Sequence, residues 1–596
     1  MNARFSAVAA ATLLAATGHA PLAQAQITWA DILTFRAPAD NPSYTRQRLA
    51  KGQADECFAG VGVDYPPLNA DGSCSAGVPK KSLGYVWGLT QAGLGVPSFS
   101  GDEIWFGTFA NPLCSGAAGG VIEPEPDLTV SWVCEFGQSM LARRPVAPLP
   151  AASGDWRLPR VYSFNLALGR LTDRTPADKA FYSITGLRSA GSVGAMVFVA
   201  GPTFQTDVTF AAWDASTGTY RGSCRATALN QIRQWITVNG VLYAGAGRDT
   251  GDGVILRWRG TSTDPFRGAG TVSDYCGFEV VGTLPGFPAY LTTYNNQRIV
   301  ASAWNRTTLE AEARSVAAAP TPPVTAGVYL GPLLGSDGQY DSTDATKAWT
   351  KIWSPLQYET DPVVASTTGG GAITFWSGWL WFGSMQNNAT AASSHSQCTL
   401  PICYGPPANS EESQDLSFQT SRAASLWRAR LVQGTVEVQL LYGQTELPAL
   451  VPNTKTFEMK PTGWTARLGA AGFGNPFVTY TWAASAGPND LLFGMYDYRF
   501  VFDVRLGVYA GGSIDARRGY GADLWRFTDP EGPAVPEDVH GLGNYTNYGV
   551  RNMLRLNGGG ELILGTASGL TLEPDAGWEL LRLTPPAAAA QRRTPR

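Results

Sequence analysis

Arg233-Gln234-Trp235-Ile236-Thr237-Val238-Asn239-Gly240-Val241-Leu242-Tyr243-Ala244-Gly245 decides the architecture of this 596-residue chain. An arginine leads an alternating run, an Asn-Gly pair turns the chain, and a second apolar run ends on glycine. Asn-Gly between alternating hydrophobic runs is the strongest short-range hairpin signal, because both turn positions need a positive φ that these two residues tolerate. The pattern returns as Arg551-Asn552-Met553-Leu554-Arg555-Leu556-Asn557-Gly558, followed by Glu561-Leu562-Ile563-Leu564-Gly565. Hairpins that recur along a long chain predict a radial β architecture rather than one large sandwich.

The small-ended run recurs at Glu103-Ile104-Trp105-Phe106-Gly107, Met196-Val197-Phe198-Val199-Ala200, Arg298-Ile299-Val300-Ala301-Ser302, Trp379-Leu380-Trp381-Phe382-Gly383 and Asp490-Leu491-Leu492-Phe493-Gly494. With the two runs quoted above this makes seven. Several are followed by a third segment carrying arginine: Leu256-Arg257-Trp258, Leu426-Trp427-Arg428, Leu524-Trp525-Arg526 and Leu580-Leu581-Arg582. Inner strand, small-ended strand and arginine strand together read as one blade. The predicted fold is therefore all-β, a seven-bladed β-propeller spanning residues 83–583. Runs of four apolar residues suit strands buried on both faces between blades. The spacing is uneven, and the excess falls in Gly-, Pro-, Ser- and Thr-rich insertions, the largest at 317–335, 385–421 and 509–544.

Composition agrees. Charged residues make up 15% of the chain, against 68 Gly, 40 Pro and 66 aromatics, which fits short strands joined by tight turns. Long stretches of helical period are missing. There is no basic stripe, which argues against a nucleic-acid partner.

Residues 1–25 read as a secretory signal peptide: Arg4, a short Ala-rich apolar stretch, then Ala23-Gln24-Ala25 as the cleavage site. That stretch is too short to span a membrane, and no later segment is apolar enough. The expected location is periplasmic or extracellular. All eight cysteines, Cys57, Cys74, Cys114, Cys134, Cys224, Cys276, Cys398 and Cys403, lie beyond the leader, and an even count in an exported chain reads as disulfides. Sequence cannot choose the pairing; neighbour with neighbour is the expectation adopted.

The ring must also close. The last strand, around 578–583, is only the third of its blade, and 584–596 reads as a disordered tail. A fourth strand must come from the N-terminal segment 26–82, and 26–35 is the expected place. A short helix capped by Thr28 competes for the same residues.

Gly549-Val550-Arg551-Asn552-Met553, Leu562-Ile563-Leu564-Gly565-Thr566 and Ala522-Asp523-Leu524-Trp525-Arg526-Phe527 together resemble exported bacterial β-propeller proteins. The resemblance implies a fold and no activity, since propellers serve as lyases, hydrolases, dehydrogenases, lectins and scaffolds. Asp214-Ala215-Ser216-Thr217-Gly218 looks like the repeated turn of quinoprotein dehydrogenases. It occurs once, without their docking tryptophan, and an ordinary Asp-started turn explains it.

Few residues offer catalysis. Beyond the leader only His395 and His540 remain, and each reads as a loop residue. Asp102, Glu103, Asp490 and Glu561 adjoin turns and read as solvated. Asp249-Thr250-Gly251-Asp252-Gly253 and the acidic loop 337–344 carry oxygen ligands of the kind calcium takes, without EF-hand spacing; plain polar turns account for both. No metal site or cofactor is predicted, with calcium left open. The sharpest residues are Arg233 and Arg551, which stand at the same point of their repeats beside Trp235 and beside Tyr545 and Tyr548. Converging on a central channel, they would bind a carboxylate or sugar acid; alternatively each locks neighbouring blades. The expected role is a binding or scaffolding module for a glycan or an envelope protein, met at the loop-bearing mouth. The alternative is a polysaccharide lyase or glycosidase using carboxylate, Tyr and Arg groups.

Overall fold

The structure is a computed structural model that describes residues 35–59, 66–93, 101–110, 157–305, 324–335, 337, 339, 349–499 and 521–586. The expected signal peptide at 1–25, most of the expected tail at 584–596, Cys114 and Cys134 lie outside these residues.

The described chain is almost entirely β and winds through successive antiparallel groups of four strands. Blade one is Leu83–Gln91, Glu103–Ala110, Val161–Asn165 and Arg170–Asp173. Blade two is Ser189–Val193, Met196–Pro202, Val208–Asp214 and Thr219–Ala226. Blade three is Leu229–Val238, Val241–Arg248, Gly253–Arg257 and Glu279–Leu284. Blade four is Phe287–Tyr294, Arg298–Trp304, Gly327–Leu333 and Thr350–Trp353. Blade five is Thr368–Trp376, Trp379–Gln386, Leu426–Val432 and Thr435–Tyr442. Blade six is Val478–Ala486, Leu491–Asp497, Leu524–Phe527 and Val535–Asp538. Blade seven is Asn547–Arg555, Leu562–Ser568 and Glu579–Thr584, completed by Thr45–Lys51 from the N-terminal side. The first strands touch in cyclic order, and that of blade seven touches that of blade one. The molecule is a β-propeller.

Each small-ended run is the second strand of a blade, and the small residue has a packing cause. A Cβ on Gly245 would stand 2.2 Å from the carbonyl oxygen of Pro288, in the first strand of the next blade. On Gly494 it would stand 2.5 Å from Val550 Cβ, again one blade on. The apolar faces between blades are closed by rings such as Phe198, Phe210, Trp235 and Phe278. The third-strand arginines reach carboxylates: Arg526 lies 2.7 Å from Glu537, Arg257 2.7 Å from Glu279 and Arg428 2.8 Å from Glu531.

The hairpin at Asn239-Gly240 has the expected two-residue turn, with φ of 49° and 78° and Val238 paired to Val241. At Asn557-Gly558 the turn is longer. Arg555 pairs with Leu562, and a short 3-10 turn, Leu556–Gly558, fills the gap because Gly559 and Gly560 add length.

The closing strand corrects the expectation of 26–35. Phe35 is outside any strand, Gln26 to Thr34 lie outside the described residues, and the fourth strand is Thr45–Lys51. Its sequence, Thr-Arg-Gln-Arg-Leu-Ala-Lys, lacks an apolar run because an outermost strand keeps an exposed face. The chain before it is strapped to blade six. Glu537 accepts from Ser43 N and Tyr44 N at 2.7 Å each, and the Tyr44 hydroxyl donates to Asp490 at 2.6 Å.

Three disulfides, Cys57–Cys74, Cys224–Cys276 and Cys398–Cys403, match neighbour pairing. Part of the 385–421 insertion is ordered as helix. Helices α1 (Pro362–Thr367), α2 (Asn388–Gln397) and α3 (Ser410–Thr420) pack at the end of blade five opposite its hairpin turn. No helix among the described residues is long and apolar enough to cross a membrane.

Candidate functional site

Arg233 and Arg551 are each the fifth residue of a first strand, and the ring brings them together around the axis with Arg188. Arg188 immediately precedes the first strand of blade two. All three stand six residues before their hairpin turns, at Gly194, Asn239 and Asn557. That spacing is the signal that would have identified Arg188, which the sequence reading missed because Gly194-Ala195 does not resemble Asn-Gly.

Aromatic rings from other blades hold the guanidinium groups. Arg233 lies 4.3 Å from the Tyr290 ring centroid and 4.6 Å from that of Trp304, and it donates to the Tyr290 hydroxyl. Arg188 takes the same Trp304 at 5.2 Å and Trp87 at 5.6 Å, and donates to Gln231. Arg551 sits 5.5 Å from the Trp482 centroid. Glycines make room for these rings: a Cβ on Gly549 would meet Trp482 at 2.3 Å, and one on Gly369 would meet Trp304 at 2.6 Å. The Thr368-Gly369-Gly370-Gly371 run is thus a second unread signal.

Two other buried arginines have carboxylates: Arg422 has Glu359 at 2.8 Å, and Arg555 has Asp490 at 2.7 Å. The channel arginines have none among the described residues. Arg551 is 3% exposed, and its Nε and Nη2 have no hydrogen-bond partner there. Burial, and then the charge of Arg233, pull Arg188 down to about 9. Burial lowers Arg233. Burial together with the like charges of Arg233 and Arg188 drives Arg551 well below the usual arginine range. Three cations that weaken one another in a poorly solvated space are a standing demand for an anion.

The cavity beside them has a volume of about 330 Å³. It is lined by the halves of the first strands nearest the hairpin turns, and it contains Arg233, Arg551, Tyr290 and Trp482. Among the described residues no Asp, Glu or His lines it. It therefore lies toward the short-turn end and not toward the loop-bearing mouth anticipated from sequence. The reason is that the long second-to-third-strand connections all leave from the opposite end. Beyond the arginines, aromatic rings pack against one another. Trp87 stacks on Phe109 with centroids 4.0 Å apart, and Tyr85 meets Trp482 and Tyr548 at 5.9 Å each.

Of the remaining predicted residues, Tyr548 belongs to this aromatic layer, its hydroxyl bonded to that of Tyr85. Trp235 borders the cavity, but its ring packs between blades and its Nε1 donates to Ser189 at 3.0 Å. Tyr545 lies apart, donating to Glu573 at 2.6 Å. His395 is in α2 rather than a loop, buried with Nε2 3.2 Å from Asp361, the residue that caps α1. His540 meets Asp40 at 2.8 Å. The turn acids are paired: Asp490 with Arg555, Glu561 with Arg582 at 2.7 Å, and Glu103 with Arg174 at 3.5 Å. Asp102 uses its backbone carbonyl to accept from Leu166. Asp252 is held by Arg248, and Asp337 accepts from Gln339 at 3.0 Å. Asp341 and Asp344 lie outside the described residues. Among the described residues no three metal-ligating side chains are gathered. Asp214 accepts from Ser216 N at 3.1 Å, an ordinary turn closed by Gly218.

No family model matches this chain, and no curated protein matches it. Solved structures do resemble it. Puromycin hydrolase is 10% identical, covering 84% of this chain and 52% of its own, with a TM-score of 0.38. The Dos1 propeller is 7% identical, covering 84% and 93%, with a TM-score of 0.36. The β-propeller domain of the Trilobed protease from Pyrococcus furiosus is 9% identical, covering 75% and 82%, with a TM-score of 0.28.

Proposed function

We propose that this seven-bladed propeller is an exported binding module whose ligand is an acidic glycan, held by Arg188, Arg233 and Arg551 in the channel. The observation that carries the proposal is three guanidinium groups gathered, among the described residues, without a carboxylate and beside a cavity lined by no acidic or histidine side chain. Charge-assisted bonds from a fork of donors to a carboxylate are strong and directional, and an incoming anion would relieve the mutual repulsion of the cations. Disulfides and the leader-like start support export.

A glycosidase would need two carboxyl groups about 5–9 Å apart flanking the bond to be cut, and this cavity supplies none. Binding without turnover is therefore the better account. The test is a panel of acidic and neutral polysaccharides assayed for both binding and product release. Retention of acidic members without turnover is expected. Turnover would favour the lyase or glycosidase, and silence on the whole panel would leave an envelope protein as partner.

A further inference from the structure

We infer that the channel takes a single terminal oxyanion, carried by a mono- or disaccharide end that enters from the Asn239-Gly240 face. This rests on the acidic-glycan reading above and adds the mode of entry. Three observations support it.

The cations lie only at the floor. Arg233 and Arg551 line the cavity with Arg188 beside them, and among the described residues every other lining residue is uncharged, so a polyanion threaded through would find no further basic partner there. The inner end is shut among the described residues. Tyr85, Phe109, Trp482 and Tyr548 are all buried, and their rings meet edge to face or stacked beyond the arginines. The walls between floor and rim set polar groups among apolar side chains such as Leu89, Ile236 and Met553. Thr90 and Ser192 are bonded through their hydroxyls at 2.9 Å, Thr237 donates to Ser192 O at 2.7 Å, and Asn552 donates to Val86 O at 2.7 Å. Each of these groups keeps acceptor capacity for a hydroxyl-bearing ligand.

Dimensions agree. From exposed Thr237 to buried Arg233 is four residues of strand, a depth of about 13 Å at ordinary strand rise. A volume of about 330 Å³ is at the small end for ligand cavities, suited to a sugar end and too small for an internal stretch of polymer. Arg551, with Nε and Nη2 unengaged, is the principal donor to the oxyanion. The Trp482 face beneath it supplies an apolar wall. Carboxylate, sulfate and phosphate share this chemistry, and the ligand panel separates them.

The test is calorimetric titration of the full chain with glucuronic acid, glucose 6-sulfate and glucose 6-phosphate, beside glucose and inorganic phosphate. At least one acidic sugar is expected to bind and to compete with a long acidic polysaccharide, while glucose does not. Arg551→Gln and Arg188→Gln should each weaken that binding about tenfold or more. The unmodified chain decides the matter even where a variant fails to fold. Inorganic phosphate binding as tightly as every acidic sugar would overturn the saccharide assignment. Polysaccharide binding with no competition from the small acids would overturn end-on entry and leave the glycan module standing. Failure of polysaccharides and small acids alike would overturn both.

Discussion

The guanidinium of Arg233 lies over the ring of Tyr290, 4.3 Å from its centroid, and donates a hydrogen bond to the hydroxyl of the same side chain. The two residues come from blades three and four, so one contact joins adjacent blades and also presents a cation to the axis. Neutral rings hold all three channel arginines, whereas carboxylates hold the buried Arg422 and Arg555.

Arg551→Gln should therefore leave the unliganded protein as stable as the parent, or more stable by up to about 2 kcal/mol, since it removes an uncompensated buried charge. Denaturant unfolding measures this. A loss of about 3–5 kcal/mol, the cost of breaking a buried ion pair, would show instead that Arg551 locks the ring.

Gly245→Val should destabilise by about 3 kcal/mol or more, because the new side chain meets the Pro288 carbonyl of the next blade and backbone cannot move aside cheaply. Gly240→Ala should cost only about 1 kcal/mol: nothing stands near its Cβ, and the penalty is its φ of 78°. Equal losses at the two sites would contradict this account of blade packing.

Glu537→Ala should loosen the strap. It removes the acceptor for Ser43 N, Tyr44 N and Arg526 together, in a residue only 3% exposed, for about 3–5 kcal/mol. Hydrogen exchange should rise first in Thr45–Lys51. Unchanged protection there would mean that pairing with Glu579–Thr584 alone closes the ring.

Asp523 offers a pH test. Burial, and then the neighbouring Asp497 charge, push its carboxyl well above the usual range, and Asn475 Nδ2 bonds both acids at 3.2 and 2.9 Å. The folded state then holds a proton that the unfolded state has released, so stability falls as pH rises from about 4 through the folded value. Asp523→Asn keeps the acceptor and removes the titration. Its advantage over the parent should grow with pH across that window in denaturant titrations. A constant difference would show that Asp523 is charged in the fold.

Much of the ring was legible. The seven small-ended runs are the second strands because an apolar run closing on a small residue records a constraint from the next blade's backbone. Leu524-Trp525-Arg526 and its counterparts are third strands, and their arginines find carboxylates: Arg526 and Arg257 on the fourth strand, Arg582 beside the second, and Arg428 in blade six. The closing strand lies beyond the expected 26–35, since Thr45–Lys51 has an exposed face and so carries no apolar pattern. His395 reads as a loop residue from sequence because α2, short and polar, shows no hydrophobic periodicity.

The candidate site was legible only in part. Arg233 and Arg551 stood out through their shared place in the repeat, whereas Arg188 was hidden by an atypical turn. Tyr545 and Tyr548 looked alike beside Arg551, yet one bonds Glu573 and the other enters the channel.

Strand order, turn type and the need for close blade contact were written locally, because alternation, Asn-Gly chemistry and side-chain size act over a few residues. The meeting of three cations without an acid, the aromatic floor beneath them and the end at which the cavity lies were decided only by ring closure. Residues hundreds of positions apart share an environment there, and a low local dielectric turns their proximity into an energy that no short stretch of chain contains.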